Sequence, residues 1–407
     1  MKMEETFDRL MQASGLPRNE SRRLMSLVTG KAQTWLMAHG DDTADADVAA
    51  HFATLAGRRR NGEPLAYLLG EQEFHGHRFA VSPAVLIPRA DTETLVEVAC
   101  ERLAPWIAKR TARCTDIGSC AHVQPGAAPI TEPTSGQSPS PTPAPVLTPT
   151  PPQARSTRAP QSTPTTQPAS AWPAHNSSLN QDNLPTHGDD APPVQTGMGH
   201  APLRLLDLGT GSGIIAITLA LLHPEVEVHA VERSADALAL AQENARTLGA
   251  SRIRWHHGSW WDALQADEGV REKPGSCTPP DNLNKRHSET SGAKSVSITP
   301  RFDLIVSNPP YIAAADHHLQ QGDLRFEPQQ ALASGADGLD DLRIIIAGAP
   351  THLAPGGWLL LEHGYDQQDA VQALLKAAGF EQVFTWRDLA GQPRVSGGVF
   401  VGTPGQP

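Results

Sequence analysis

Cysteine is scarce in this chain: Cys100, Cys114, Cys120 and Cys277 are the only four in 407 residues, and none falls in a CxxC pair. That usage excludes a zinc ribbon and a disulfide framework and fits a reducing compartment. No stretch approaches the roughly 18 consecutive apolar residues of a membrane span, and the N-terminus MKMEETFDRL lacks an apolar signal core. The expectation is a cytoplasmic protein without membrane association. Positive charge is not in excess either, since 33 Lys and Arg against 44 Asp and Glu leave a net charge of −11. A broad basic face for duplex nucleic acid is therefore not expected. Two nucleotide signatures are missing: there is no GK[ST] of a P-loop, and Ile214 stands where a GxGxxG fingerprint needs its third glycine. His75 with His77, His256-His257 and His317-His318 lack a third ligand at a recognisable spacing, so no metal site is expected.

What the chain does contain falls into blocks. Residues 4 to about 58 carry short helical patterns (FDRLMQAS, SRRLMSLV, AQTWLMAH, ADVAAHFATLAGRRR) punctuated by Gly15, Gly30, Gly40 and Gly57. They predict a helical bundle, a domain over 1–60, ended by a solvated basic run at Arg58, Arg59 and Arg60. Over 61–97 the pair His75-Gly76 between apolar runs predicts a linking β-hairpin, and Asp91 or Thr92 is placed to cap a helix from Glu93. The remainder, 98–407, forms a further domain with two polar insertions. Residues about 111–201, dominated by Pro, Ser, Thr, Ala and Gln, and about 266–300 show no apolar periodicity and are expected to be disordered.

Between and after the insertions, strand and helix patterns alternate. Apolar runs at 203–209, 226–232, 252–258 and 302–307 read as buried strands, with helical segments after the first two and again near 339–353, then GWLLLEHG, a helix, and strands near EQVFTW and VFVG. Repeated βα units predict an α/β, Rossmann-like parallel sheet whose ligands bind beyond the carboxyl ends of its strands.

Three strand ends carry the candidate chemistry. Gly209-Thr210-Gly211-Ser212-Gly213 makes a tight turn that a ligand can approach closely. Glu232 ends the second strand, where a carboxylate can accept bonds from both hydroxyls of a ribose. Trp260 follows the third strand and can lie against an adenine face. Asn308-Pro309-Pro310-Tyr311 closes the fourth, a rigid corner in which the Asn308 side-chain oxygen and the Pro309 carbonyl can accept the two hydrogens of a planar NH2 group, with Tyr311 packed on its flat face.

In this order the GxGxG turn, an acid 19 residues after Gly213 and the NPPY corner resemble the S-adenosylmethionine-dependent methyltransferases with a seven-stranded Rossmann-like sheet. Within that class the chain is similar to the bacterial release factor glutamine methyltransferases through GEPLAYLLGEQEFHG and LIPRADTETLVE at 62–97, DLGTGSG at 207–213, VSNPPYI at 306–312, and RFEPQQALASGADGLDDLR with LLLEHG. The resemblance covers about 59–104, 203–264 and 301–402. It implies that Gly209, Thr210, Gly211, Ser212, Gly213, Glu232 and Trp260 hold S-adenosyl-L-methionine, and that Asn308, Pro309, Pro310 and Tyr311 hold a substrate glutamine, with Asn308 also close to the cofactor. The catalytic set it implies is Asn308, Pro309 and Tyr311. The implied reaction methylates the side-chain nitrogen of the glutamine in the Gly-Gly-Gln motif of peptide chain release factors, with the helical domain docking that protein substrate and no direct nucleic acid contact. Ser259 departs from the pattern, standing where relatives often have Asp before the Trp. A ribosomal protein glutamine, an adenine-N6 DNA methyltransferase and a non-catalytic adaptor built on the Pro-rich insertion are the alternatives.

Overall fold

The N-terminal patterns fold as helices wherever an apolar stripe can be buried and a cap is available. A computed structural model describes residues 5–118, 202–266 and 301–402. Helix α1 (Phe7–Ala13) starts at Thr6, whose hydroxyl accepts from the Arg9 amide, and α2 (Arg18–Thr29) stops at Gly30 in the left-handed region. With α3 (Gln33–Ala38), α4 (Ala46–Arg60) and α5 (Leu65–Leu69) they enclose a core of their own around Leu24, Met25, Leu36 and Phe52. The basic run ending α4 is bound within the chain. Arg58 pairs with Glu63, Arg59 with Glu20 at 2.7 Å, and Arg60 donates to the Ser14 carbonyl at 2.8 Å. Arg325 donates to the Asn61 carbonyl at 2.6 Å, so the helices abut the loop that follows the NPPY corner.

The hairpin forms as its turn residues dictate. Strands β1 (Glu71–Phe74) and β2 (His77–Ala80) pair antiparallel across His75 and Gly76, whose φ values of 50° and 78° suit a type I′ turn. Helix α6 (Glu93–Gly118) follows a 3-10 turn at Ala90–Thr92. It continues beyond Thr111, where the sequence predicts an insertion to begin, because nothing in TARCTDIG before Gly118 breaks a helix. The rest of that expected insertion, 119–201, and the second one from 267 to 300 lie outside the described residues.

The remaining strands are β3 (Arg204–Leu208), β4 (Glu227–Glu232), β5 (Arg254–His257), β6 (Phe302–Ser307), β7 (Leu353–Glu362), β8 (Phe380–Arg387) and β9 (Pro393–Phe400), which form one seven-stranded sheet in the order β5-β4-β3-β6-β7-β9-β8. Its first five strands run parallel and β9 is antiparallel to both neighbours. Side chains alternate between the faces, as strand geometry requires. Leu205, Leu304 and Leu360 point to one core with α6, α7 (Ile214–Leu222) and α8 (Ala235–Leu248); Leu206, Ile305 and Leu359 point to the other, with α10 (Asp340–His352) and α11 (Gln368–Ala377). A short α9 (Asp262–Ala266) follows β5. Burying each such leucine contributes about 2 kcal/mol. The last strand starts well before the VFVG run, at Pro393. Gly397 and Gly398 sit inside β9, and a Cβ on Gly397 would fall 2.5 Å from the Leu359 carbonyl oxygen, a close approach that only glycine allows.

Candidate active site

Because β3 to β6 are parallel and in register, their carboxyl ends place four separate loops side by side. Leu208 pairs with Val231 on one side and Ser307 on the other, and Glu232 pairs with His257. The loops surround a cleft of about 970 Å³, solvent mouth included. Gly209, Thr210, Gly211, Ser212, Glu232, Trp260, Asn308 and Pro310 all line it. Gly213, Pro309 and Tyr311 do not. Gly213, at φ 86°, tucks under α7, where a Cβ would meet Ile217 at 2.7 Å and Ala241 at 3.2 Å. Pro309 is buried, and Tyr311 packs against the second core.

The cofactor side of the cleft is rich in acceptors. The amides of Gly211 and Ser234 donate to the two oxygens of Glu232 at 2.9 and 2.8 Å, which orients the carboxylate and leaves each oxygen a further lone pair. At the end of β3 the wholly buried Asp207 takes the Thr210 hydroxyl at 2.6 Å and the Ala216 amide at 3.2 Å on one oxygen. Its other oxygen has no hydrogen-bond partner. Burial pushes this carboxyl up to about 7, against the two bonds that favour its charge. Trp260 holds a left-handed φ of 43°, rare for a bulky side chain, and its indole N–H donates to Asp341 at 3.1 Å. The ring lies against Gly209, where a Cβ would sit only 3.1 Å from it. Glycine, carboxylate and indole suit the methionine, ribose and adenine parts of S-adenosylmethionine.

The corner itself is braced from behind. The Ser307 hydroxyl donates to the Leu208 carbonyl at 2.6 Å, and Gln367 donates to the Tyr311 carbonyl at 2.9 Å. Asn308 donates through Nδ2 to the Thr92 hydroxyl at 3.2 Å, and the Tyr311 hydroxyl donates to Glu362 at 3.2 Å. Thr92 therefore serves the corner through its side chain, beyond any capping of α6. His363, next to Glu362, bonds to Ser396 at 2.7 Å and is buried away from the cleft. The opposite wall is the segment bearing Val85, Leu86, Pro88, Arg89 and Thr92. Glu327, whose side chain is fully buried, accepts from the Ile87 amide at 3.0 Å and pairs with Arg89. Arg89 thus orients this segment.

Four of these groups, Asp207, Asn244, Glu327 and Asp341, are absent from the sequence-predicted set. Asn244 is the most informative. It lies on the buried face of α8 between Ala241 and Ala245, accepts from the Ala80 amide at 2.8 Å, and donates to the carbonyls of Ala80 at 3.1 Å and Ser212 at 2.9 Å. One side chain so ties hairpin, helix and glycine turn together. An amide at a helical position otherwise occupied by alanines was the available signal. Asp316, His317 and His318 bring their ligand atoms within 4.8 Å of one another on the surface. The nearest acceptor there, Asp316, already takes the amide and ring of His318, each at 2.8 Å.

The chain is similar to known proteins over most of its length. Residues 3–70 match the family model described as the PrmC N-terminal domain, and residues 200–271 match a methyltransferase domain. The chain is 37% identical over 389 residues to the release factor glutamine methyltransferase of Bordetella pertussis, covering 96% of this chain and 97% of that protein. It is 33% identical to the protein of that description from Neisseria gonorrhoeae, over 97% of this chain and 98% of that one. The Escherichia coli protein of the same description is 31% identical, with 96% and 95% covered.

Proposed function

The chain belongs to the release factor glutamine methyltransferases, and from that premise we propose that it methylates the side-chain nitrogen of the glutamine in the Gly-Gly-Gln motif of peptide chain release factors. The observation that carries the site assignment is the convergence of Asn308, Glu232 and the Gly209–Ser212 turn on one cleft. When bound, S-adenosylmethionine supplies a methyl group activated by its sulfonium. Gly209 to Ser212 would hold its methionine portion, with Gly213 shaping the turn beneath them, Glu232 its ribose and Trp260 its adenine.

A carboxamide nitrogen is a poor nucleophile, because its lone pair is delocalised into the carbonyl. Positioning must supply most of the effect. The Asn308 Oδ1 accepts one amide hydrogen at the cleft wall, the carbonyl of the neighbouring, buried Pro309 accepts the other once the substrate amide enters the corner, and together they aim the nitrogen along the line of displacement. Both bonds strengthen as positive charge develops on that nitrogen, so no base is needed before attack. Tyr311 takes its part from behind, through the Glu362 bond, by holding the corner rigid.

The helical domain over 1–60 and the hairpin over 61–97 supply a docking wall beside the cleft for the protein substrate, and neither nucleic acid nor membrane is a partner in this reading. No helix among the described residues is long and apolar enough to cross a membrane. Few cysteines and a translation-factor substrate together point to the cytoplasm. Purified enzyme with labelled S-adenosylmethionine should label release factor and fail on its Gln-to-Ala variant. Label on ribosomal protein or on unmethylated DNA in place of release factor would overturn the substrate.

A further inference from the structure

We propose that Asp341 reads the adenine of S-adenosylmethionine, accepting its exocyclic amino group on the carboxylate oxygen that Trp260 leaves free. The proposal rests on the reading that Glu232 takes the ribose and Trp260 the adenine. A flat base gains contact against an indole whichever purine it is, because stacking does not tell an amino group from a carbonyl at the rim. Choosing adenine needs an acceptor at the edge of the base.

Around Trp260 the cleft is lined by its chain neighbours Gly258 and Ser259 and by Asp341, which bonds to its indole. Glycine offers no side chain, and a serine hydroxyl both donates and accepts, so neither Gly258 nor Ser259 can enforce the choice. Among the described residues, the carboxylates lining the cleft are those of Glu232 and Asp341. Glu232 is oriented by the Gly211 and Ser234 amides and serves the ribose. Asp341 is left for the base.

Two bonds fix Asp341 at separate points. Its backbone N–H, at the start of α10, donates to the Ser334 hydroxyl at 2.8 Å, and the Ser334 amide donates to the Ile312 carbonyl at 2.9 Å, just past the NPPY corner. Its Oδ1 takes the Trp260 indole N–H at 3.1 Å. Its Oδ2 makes no hydrogen bond among the described residues, and the side chain is only half-buried. A carboxylate oxygen can only accept, so a free one offers the cleft an acceptor and nothing else. A charge at the start of a helix does not require this arrangement. The adjacent Asp340 pairs with Arg343 at 2.9 Å on the surface, whereas Asp341 turns to the indole. Trp260 keeps its φ of 43° only because its surroundings hold it there, and the Asp341 bond and the Gly209 contact do so.

The test is titration calorimetry of the parent and of Asp341→Asn with S-adenosylhomocysteine and with S-inosylhomocysteine, which carries a carbonyl in place of the amino group. The parent should favour the adenosyl compound by roughly 10- to 100-fold, the range expected of a hydrogen bond to a charged acceptor. In Asp341→Asn the indole N–H keeps the amide oxygen, and the amide NH2 is turned to the base. Affinity for the adenosyl compound should fall about 10-fold while that for the inosyl compound rises, so that the preference disappears or reverses. Asp341→Ser, too short to hold both partners, should lose most of the preference without reversing it, and it serves if the asparagine variant does not fold. Equal weakening of both compounds in Asp341→Asn, the result of a brace on Trp260 and nothing more, would overturn the proposal. So would a parent-like preference in either variant, or a parent that binds both compounds equally. A parent that binds neither compound would instead overturn the cofactor-site reading beneath it.

Discussion

Replacing Asn244 by alanine tests how far the cofactor loop depends on a residue that never touches the cleft. The substitution removes three hydrogen bonds, of 2.8, 3.1 and 2.9 Å, that bind Ala80 and Ser212 to α8. Each such bond contributes about 1 kcal/mol net, and a buried partner left unpaired adds to the loss. Ala80 is half-buried and water can replace part of its pairing, whereas Ser212, within the glycine turn, is buried. The expected loss is about 2–3 kcal/mol of stability. Urea unfolding followed by circular dichroism should show it as a midpoint lowered by roughly 1 M. The freed turn must also be reordered when the cofactor binds. Titration calorimetry should therefore find S-adenosylmethionine binding weakened about 5- to 10-fold, the equivalent of about 1 kcal/mol. A variant within about 0.5 kcal/mol of the parent, the size of an ordinary surface-substitution effect, with unchanged cofactor affinity would refute the reasoning.

Other outcomes follow from the same geometry. Asn308→Ala should reduce methyl transfer by about 10²- to 10³-fold while cofactor binding largely survives, and near-normal turnover would remove Asn308 from the mechanism. Glu232→Ala should act in the opposite sense, weakening cofactor binding at least tenfold by loss of a charged acceptor, measured by calorimetry; unchanged affinity would displace the ribose site. Glu362 sits above its ordinary range, so the folded state holds its proton more tightly than the unfolded chain. Its contribution to stability is complete below about 4.5 and is lost as pH rises through about 7. Glu362→Gln should thus gain on the parent by on the order of 3 kcal/mol between pH 5 and pH 8 in urea unfolding, and a pH-independent difference would contradict the burial of charge. The comparison is by difference because His229, which burial keeps neutral down to about 4, gives the opposite trend.

Much of this was legible because the signals are local. A buried parallel strand is a short apolar run, the type I′ turn needs residues such as His75-Gly76, and the glycine turn, Glu232 and the NPPY corner each sit at the end of their own strand. What was not legible depends on partners far along the chain. Asn244 meets a backbone 164 residues away, and Glu327 meets one 240 residues away. Neither pairing leaves a trace in a sequence window. The swap of β8 and β9 at the sheet edge and the glycine pair inside β9 were hidden for the same reason, since β9 pairs with β7, and Gly397 and Gly398 face Leu359 on one side and Phe380 and Val383 on the other. Tyr311 has the residue type of a ring that packs on the substrate, and only its bond to Glu362 shows it facing the interior.

The order in which the ribosome delivers this chain bears on how it matures. The five N-terminal helices close their own core from residues within the first 70, and can do so soon after they emerge. Helix α6 has no such opportunity. Its Leu95, Val96 and Ala99 pack with Leu304, Leu360 and Val395, so its apolar face waits for some 300 further residues. Until β9 is made, that helix is exposed to the chaperones and proteases of the growing cell. Strand β9 inserts between β7 and β8, which precede it in the chain, and completes the sheet, so truncation before Pro393 should cost the whole catalytic unit and spare the helical bundle.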